Sequence, residues 1–163
     1  WFERAGQGFI PPNTWDRGAL AMTSTHDLPT VAGWWAGGDI ATRTACGKLS
    51  LREEDALAER AAERSALWRA FEQAHVAAGS PPPPDDPQPV VDAALAFIAE
   101  TQSPLCLPPI EDLLGLEEQP NLPGTIDEHP NWRRRLKPEA STLLDQPSTA
   151  ARIQHLEKQR PRL

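Results

Sequence analysis

Tyrosine is absent, methionine occurs once (Met22) and cysteine twice (Cys46, Cys106) in these 163 residues. Two distant cysteines exclude a disulfide-rich scaffold and a Cys-based metal centre, and they fit a reduced, cytoplasmic protein. Basic residues are outnumbered, 16 Lys and Arg against 23 Asp and Glu, for a net charge of −7. That balance argues against general nucleic-acid binding, which favours basic surfaces. No run approaches the ~18 apolar residues that span a bilayer, and no signal-peptide pattern opens the chain, so no membrane partner is expected. An initiator methionine is also missing, and Trp1 is too large to follow a removed one, so the chain is expected to be part of a longer polypeptide.

Proline is plentiful, at 18 residues, about twice the ~5% norm. Gly6, Gly8, Pro11, Pro12 and Asn13 punctuate the first 18 residues as a strand end and a long loop. Ala19–Thr25 reads as a buried strand, followed by the polar, Pro-marked His26-Asp27-Leu28-Pro29-Thr30. A helix or turn is expected from Thr30 to Gly37-Gly38. Ser50-Leu51-Arg52-Glu53 has capping-box spacing, which predicts a helix to about Ala78, with Leu57, Ala61, Ser65, Trp68 and Phe71 on one face and Gly79 as its stop. Ser80–Pro89 reads as a polyproline-II linker. Val90–Thr101 predicts a helix with Val91, Ala94, Leu95 and Ile98 inward, and Pro104–Ile110 a short buried strand. The tail from Pro138 reads as one or two amphipathic helices anchored by Leu143, Leu144, Ile153 and Leu156. Strand, helices, strand is the rhythm of an α/β protein.

Thr25-His26-Asp27-Leu28-Pro29-Thr30 with Gly33-Trp34-Trp35 closely resembles the amylomaltases, the 4-α-glucanotransferases of glycoside hydrolase family 77. Trp1-Phe2-Glu3-Arg4, Gly8-Phe9 and Gly38-Asp39-Ile40 share the resemblance. So do Ile110–Leu116, similar to the family's last barrel strand and loop, and Asn121–Thr125 with Asn131-Trp132-Arg133-Arg134, similar to its closing motif. Three blocks in the right order, over roughly 1–43 and 103–136, are far more specific than one His-Asp pair.

The resemblance implies the C-terminal portion of a (β/α)8 TIM barrel with a helical insertion, mostly helical with about two barrel strands. Its parts would be the strand and His-Asp loop (1–43), a helical segment holding the Pro-rich linker (44–102), the last strand and closing motif (103–136) and a C-terminal helix (137–163). A complete barrel needs ~250 residues; its upstream half would be the partner of this piece. If the piece stands alone, unpaired strand edges and exposed apolar surface are expected.

The resemblance also implies chemistry on α-1,4-glucans (maltodextrin); His75, His129 and His155 have no partner at metal spacing, so no metal or other cofactor is expected. Retaining transfer needs a nucleophile and an acid/base about 5–5.5 Å apart. By resemblance, His26 donates to a sugar hydroxyl, and Asp27 accepts from the 2-OH and 3-OH and stabilises the cationic transition state. Thr25, Trp34, Trp35, Asn131 and Trp132 are the candidate substrate contacts. The two Trp of the pair have core packing as the alternative, and Asn131-Trp132 the locking of the terminal segment. The family's nucleophile Asp and acid/base Glu would lie upstream of Trp1, since no Gly-Glu-Asp-Leu-Gly motif occurs here. The isolated chain is therefore expected to be inactive. Glu111-Asp112 reads as a loop or capping pair, and Arg133-Arg134-Arg135 as a solvated or salt-bridged face. The alternatives are a non-catalytic glucan-binding or interaction fragment, and another α-glucan enzyme with a similar His-Asp strand.

Overall fold

The computed structural model describes residues 4–6, 8–137 and 139–160. Trp1, Phe2, Glu3 and Pro138, on which parts of the motif and tail readings fall, lie outside them. The chain opens with a two-residue antiparallel pair, β1 (Arg4–Ala5) and β2 (Gly8–Phe9). β3 (Leu20–Ala21) pairs in parallel with the much later β4 (Leu105–Cys106), in the register Leu20 to Leu105 and Ala21 to Cys106. Between these strands run four helices: α1 (Val31–Ala36), α2 (Gly38–Ala45), α3 (Glu53–Gln73) and α4 (Gln88–Ala99). After β4 come the short α5 (Ile110–Leu113) and α6 (Pro147–Gln159).

α4 is the centre of the core. Val90, Val91 and every residue from Ala93 to Ala99 are buried, because a helix that is apolar nearly all round must be covered on all sides. α1, α3 and α6 supply the cover. An aromatic chain runs through the interior: Trp34 to Trp35 (6.3 Å between ring centroids), Trp35 to Trp68 (6.2 Å), Trp68 to Phe71 (6.2 Å), Phe71 to Phe97 (5.3 Å) and Phe97 to Trp15 (6.1 Å). The last three contacts are edge-on, a geometry aromatic rings favour.

α1 starts where expected. The Thr30 hydroxyl accepts from the Gly33 N–H at 3.0 Å, satisfying one of the orphan donors of the first turn. Gly37 ends α1 in the left-handed region (φ 86°) and opens α2 at once, a junction that favours a residue without Cβ.

Several expectations need correction. α3 begins at Glu53 with Arg52 as its N-cap and no side-chain cap bond. In place of a Ser50 capping box, Glu53, Glu54 and Asp55 put negative charge on the positive helix end, and the Arg52 guanidinium bonds Asp55 at 2.8 and 2.9 Å. The helix stops at Gln73, not near Ala78. His75 turns left-handed (φ 59°), Val76 N–H bonds Phe71 C=O and His75 N–H bonds Glu72 C=O, both at 3.0 Å. That is a Schellman stop with His in the usual glycine position. Leu57, Ala61 and Ser65 are exposed, so only Trp68 and Phe71 of the expected face are core.

The Pro-rich segment is tied down rather than free. Trp35 Nε1 donates to Pro83 C=O at 3.3 Å, and Trp68 Nε1 to Gly79 C=O at 2.8 Å. Its last two residues enter α4, where Pro89 occupies the first turn and its missing N–H costs nothing. The two strands are short and one of their faces is open: Leu20 (44% exposed), Leu105 (62%) and Leu107 (53%) point away from α4, while Ala21 is fully buried. Each described strand pairs with a single neighbour, leaving its other edge unpaired. In the tail α6 forms, and Leu156 packs on the core, but Leu144 is 46% exposed and no anchor.

Candidate functional site

The site is an exposed loop with buried ends. Thr23, Ser24, Thr30 and Val31 are buried, while Thr25, His26 and Asp27 between them are exposed. The Ser24 hydroxyl donates to Pro29 C=O at 2.7 Å and Leu28 N–H to Thr25 C=O at 3.1 Å, so the loop closes on itself. His26 Nε2 lies 3.3 Å from Asp27 Oδ2. Asn121 Nδ2, from the far end of the chain, donates to Asp27 Oδ1 at 2.7 Å. Among the described residues each Asp27 oxygen thus has one polar neighbour, and a carboxyl oxygen offers further acceptor capacity.

The closing segment forms the wall beside this carboxylate. Asn131 is the lock: its Oδ1 accepts from Leu122 N–H at 2.8 Å, and its Nδ2 donates to Thr125 Oγ1 at 2.8 Å and Thr125 C=O at 3.2 Å. These bonds fit the locking alternative for Asn131. Trp132 is the reverse. Its ring is 64% exposed and lies 5.4 Å from the His26 ring. Its backbone is left-handed (φ 59°), rare for a bulky residue and held here by its N–H bond to Pro120 C=O at 3.0 Å. The fold holds that strain and presents an indole face next to the His-Asp pair.

Trp34 and Trp35 do not join the site. They are 5% and 1% exposed and belong to the aromatic core, which is the core-packing alternative for this pair. α1 is only six residues long and its first five are buried, which leaves neither ring a free face. Asn121 escaped the sequence reading, although it sits in the closing motif; its signal, a partner 94 residues away, is not local.

Asp112 is buried and pinned. Oδ1 accepts from Val31 N–H at 2.8 Å and Oδ2 from the Thr23 hydroxyl. The capping role expected for this pair therefore fits Asp112. Burial pushes its carboxyl up to about 6, against the pull of those two bonds. Raised above its unfolded value, the group favours folding below about pH 4, and that contribution is lost as pH rises toward 6. In the arginine run, Arg134 bonds Glu118 and Arg133 approaches Asp127 at 4.0 Å.

A cavity of about 430 Å³ lies behind the loop end, between Pro29, Gly38, Pro120 and His129, and a larger one of about 710 Å³ lies between α4 and α6. Neither is lined by His26, Asp27 or Trp132, which stand exposed to solvent. Among the described residues no group of three or more His, Cys, Asp or Glu could hold a metal ion, and no helix is long and apolar enough to cross a membrane.

The 4-alpha-glucanotransferase family model of glycoside hydrolase family 77 matches residues 1–142. The 4-alpha-glucanotransferases of Mycobacterium bovis and Mycobacterium tuberculosis are 32% identical over 139 residues, 82% of this chain and 19% of theirs. The crystal structure of amylomaltase from Corynebacterium glutamicum superposes with a TM-score of 0.82 over 91% of this chain and 23% of that one, at 23% identity. The chain thus spans about a fifth of the length of the curated relatives it matches. With the family match covering most of the sequence, the chain belongs to the 4-alpha-glucanotransferases of glycoside hydrolase family 77.

Proposed function

We propose that this chain carries the sugar-holding part of a cytoplasmic 4-α-glucanotransferase site acting on α-1,4-glucans. The observation that carries the reading is the convergence of His26, Asp27, Asn121 and Trp132 on one exposed rim. Asp27 accepts from the 2-OH and 3-OH of the bound glucose, and its charge favours the oxocarbenium-like transition state over the neutral ground state. His26 donates to a neighbouring hydroxyl, Asn121 fixes the carboxylate plane, and Trp132 offers an apolar face to a sugar ring. β3 and β4 are read as neighbouring strands of a (β/α)8 barrel whose remaining strands come from an upstream half. Their parallel pairing and open apolar face support this, and barrel sites sit where such strands end. Two free cysteines fit a reducing compartment.

In this reading the nucleophile and the acid/base also come from the upstream half. Asp112, at 1% exposed, is no substitute. Maltotriose incubated with the purified 163-residue chain is expected to yield no longer maltodextrins, read by chromatography of the products. Disproportionation at the rate of a complete 4-α-glucanotransferase would overturn the assignment of the missing carboxylates. A non-catalytic glucan-binding role is the second reading, favoured by the exposed Trp132 beside the His26-Asp27 pair.

A further inference from the structure

We infer that Asp112 is the positioning residue of the sugar-holding loop: from α5 it clamps both ends of residues 24–30 and so fixes where His26 and Asp27 stand. Its two oxygens take one donor each from the two sides of the loop, the Thr23 hydroxyl before it and the Val31 N–H after it, 89 and 81 residues away in sequence. A carboxylate suits this task, because two acceptors in one plane can hold two chain segments in one register. All three members are buried: Thr23 and Val31 are fully so, and Asp112 is 1% exposed. The same side of the loop is held again by the Thr30 hydroxyl, which donates to Glu117 C=O at 3.0 Å, just beyond α5.

Asp112 does more than complete the first turn of α1, since its second oxygen holds Thr23 on the other side of the loop. Thr30 caps α1 at the Gly33 N–H and Asp112 takes the Val31 N–H, and among the described residues no cation bonds the Asp112 carboxylate. The charges nearest it are Glu111 on α5, which disfavours its ionisation, and Arg152 on α6, which favours it. Arg152 spends its own guanidinium on Asp92 at 2.7 Å, Gln88 at 2.8 Å and Leu113 C=O at 3.0 Å. A leucine would avoid burying an acid but would leave the buried Val31 N–H and Thr23 hydroxyl without this acceptor. What only a two-acceptor side chain supplies is the fixed separation of the loop ends, and an ordered loop spares a bound sugar the cost of ordering it.

The link to glucan binding rests on the proposed function; the clamp does not. The test is amide hydrogen exchange on the 163-residue chain, with maltoheptaose affinity measured beside it. Asp112→Ala is expected to speed exchange over residues 24–31 by about tenfold while α4 stays protected, and to weaken maltoheptaose binding by a similar factor. Asp112→Asn keeps an acceptor for Val31 and a partner for Thr23, and is expected to restore both readouts to within about twofold. Thr23→Val removes one donor at constant volume and is expected to give an intermediate rise in loop exchange; it carries the test if the alanine variant does not fold. Unchanged loop exchange in Thr23→Val, or a rise in Asp112→Ala that includes α4 equally, would overturn the clamp. Faster loop exchange in a chain that binds no maltoheptaose even as wild type supports the clamp and overturns the glucan reading alone.

Discussion

Replacing Gly33 with alanine is expected to destabilise the fold by roughly 2–4 kcal/mol, from overpacking and a broken hydrogen bond. Propensity alone points the other way, since alanine in a helix is better than glycine by about 1 kcal/mol. Space decides the sign. A Cβ on residue 33 would lie 2.1 Å from the Glu117 carbonyl oxygen and 2.9 Å from Thr30 Oγ1. The carbonyl belongs to the backbone and cannot rotate away. Moving it breaks the bond from the Thr30 hydroxyl, which also caps α1. The damage therefore reaches both the loop of His26 and Asp27 and the segment that leads to Asn121. Denaturant unfolding checks this: the midpoint falls with an unchanged slope. Gly18→Ala is the control, since its Cβ would meet only Asp16 Oδ1 at 3.4 Å. A midpoint for Gly33→Ala at or above that of the control would sink the argument.

Arg60→Ala is expected to cost more, about 3–5 kcal/mol, the range for removing one partner of a buried ion pair. Arg60 on α3 binds Asp39 on α2 through two parallel bonds of 2.7 and 2.8 Å, donates to Trp34 C=O at the end of α1, and stacks 4.5 Å above the Trp34 ring. Both side chains are only 9% exposed, so water screens the pair little. Without Arg60, the nearly buried Asp39 carboxylate loses both of its guanidinium hydrogen bonds, and the Trp34 carbonyl loses this donor. Removing Asp39 as well takes away that carboxylate. A double-mutant cycle by equilibrium unfolding is thus expected to show Arg60→Ala/Asp39→Ala more stable than Arg60→Ala alone. The double variant proving equally or less stable would contradict the role given to the pair.

Signals carried within a few residues were legible before the structure. Thr30 as the start of α1, Gly37-Gly38 as its end and the apolar run of α4 all depend on neighbours in sequence. The failures have physical causes. The Ser50 box lost to first-turn acids and an Arg52–Asp55 pair, an equally local solution that spacing did not distinguish. The strands were expected to be buried because they are apolar, yet Leu105 and Leu107 lie on an open face, and composition does not say which face a two-residue strand covers. The site divides the same way. His26, Asp27 and Trp132 were marked by resemblance, and the structure brings their side chains to one rim. Trp34 and Trp35 carried the same resemblance, and only packing shows that they belong to the core. Asn121 on Asp27, and Asp112 on Thr23 and Val31, act across 80 to 95 residues, beyond the reach of any local pattern.

Trp132 makes the central claim directly measurable. It is 64% exposed, whereas Trp15, Trp34, Trp35 and Trp68 are all buried at 7% or less. Titration of maltoheptaose into the 163-residue chain is therefore expected to quench tryptophan emission saturably. That response should vanish in Trp132→Phe, which removes the one exposed tryptophan among the described residues, and in Asp27→Ala, which removes the acceptor proposed for the sugar hydroxyls. No response in the wild-type chain, or an undiminished one in Asp27→Ala, would contradict the account.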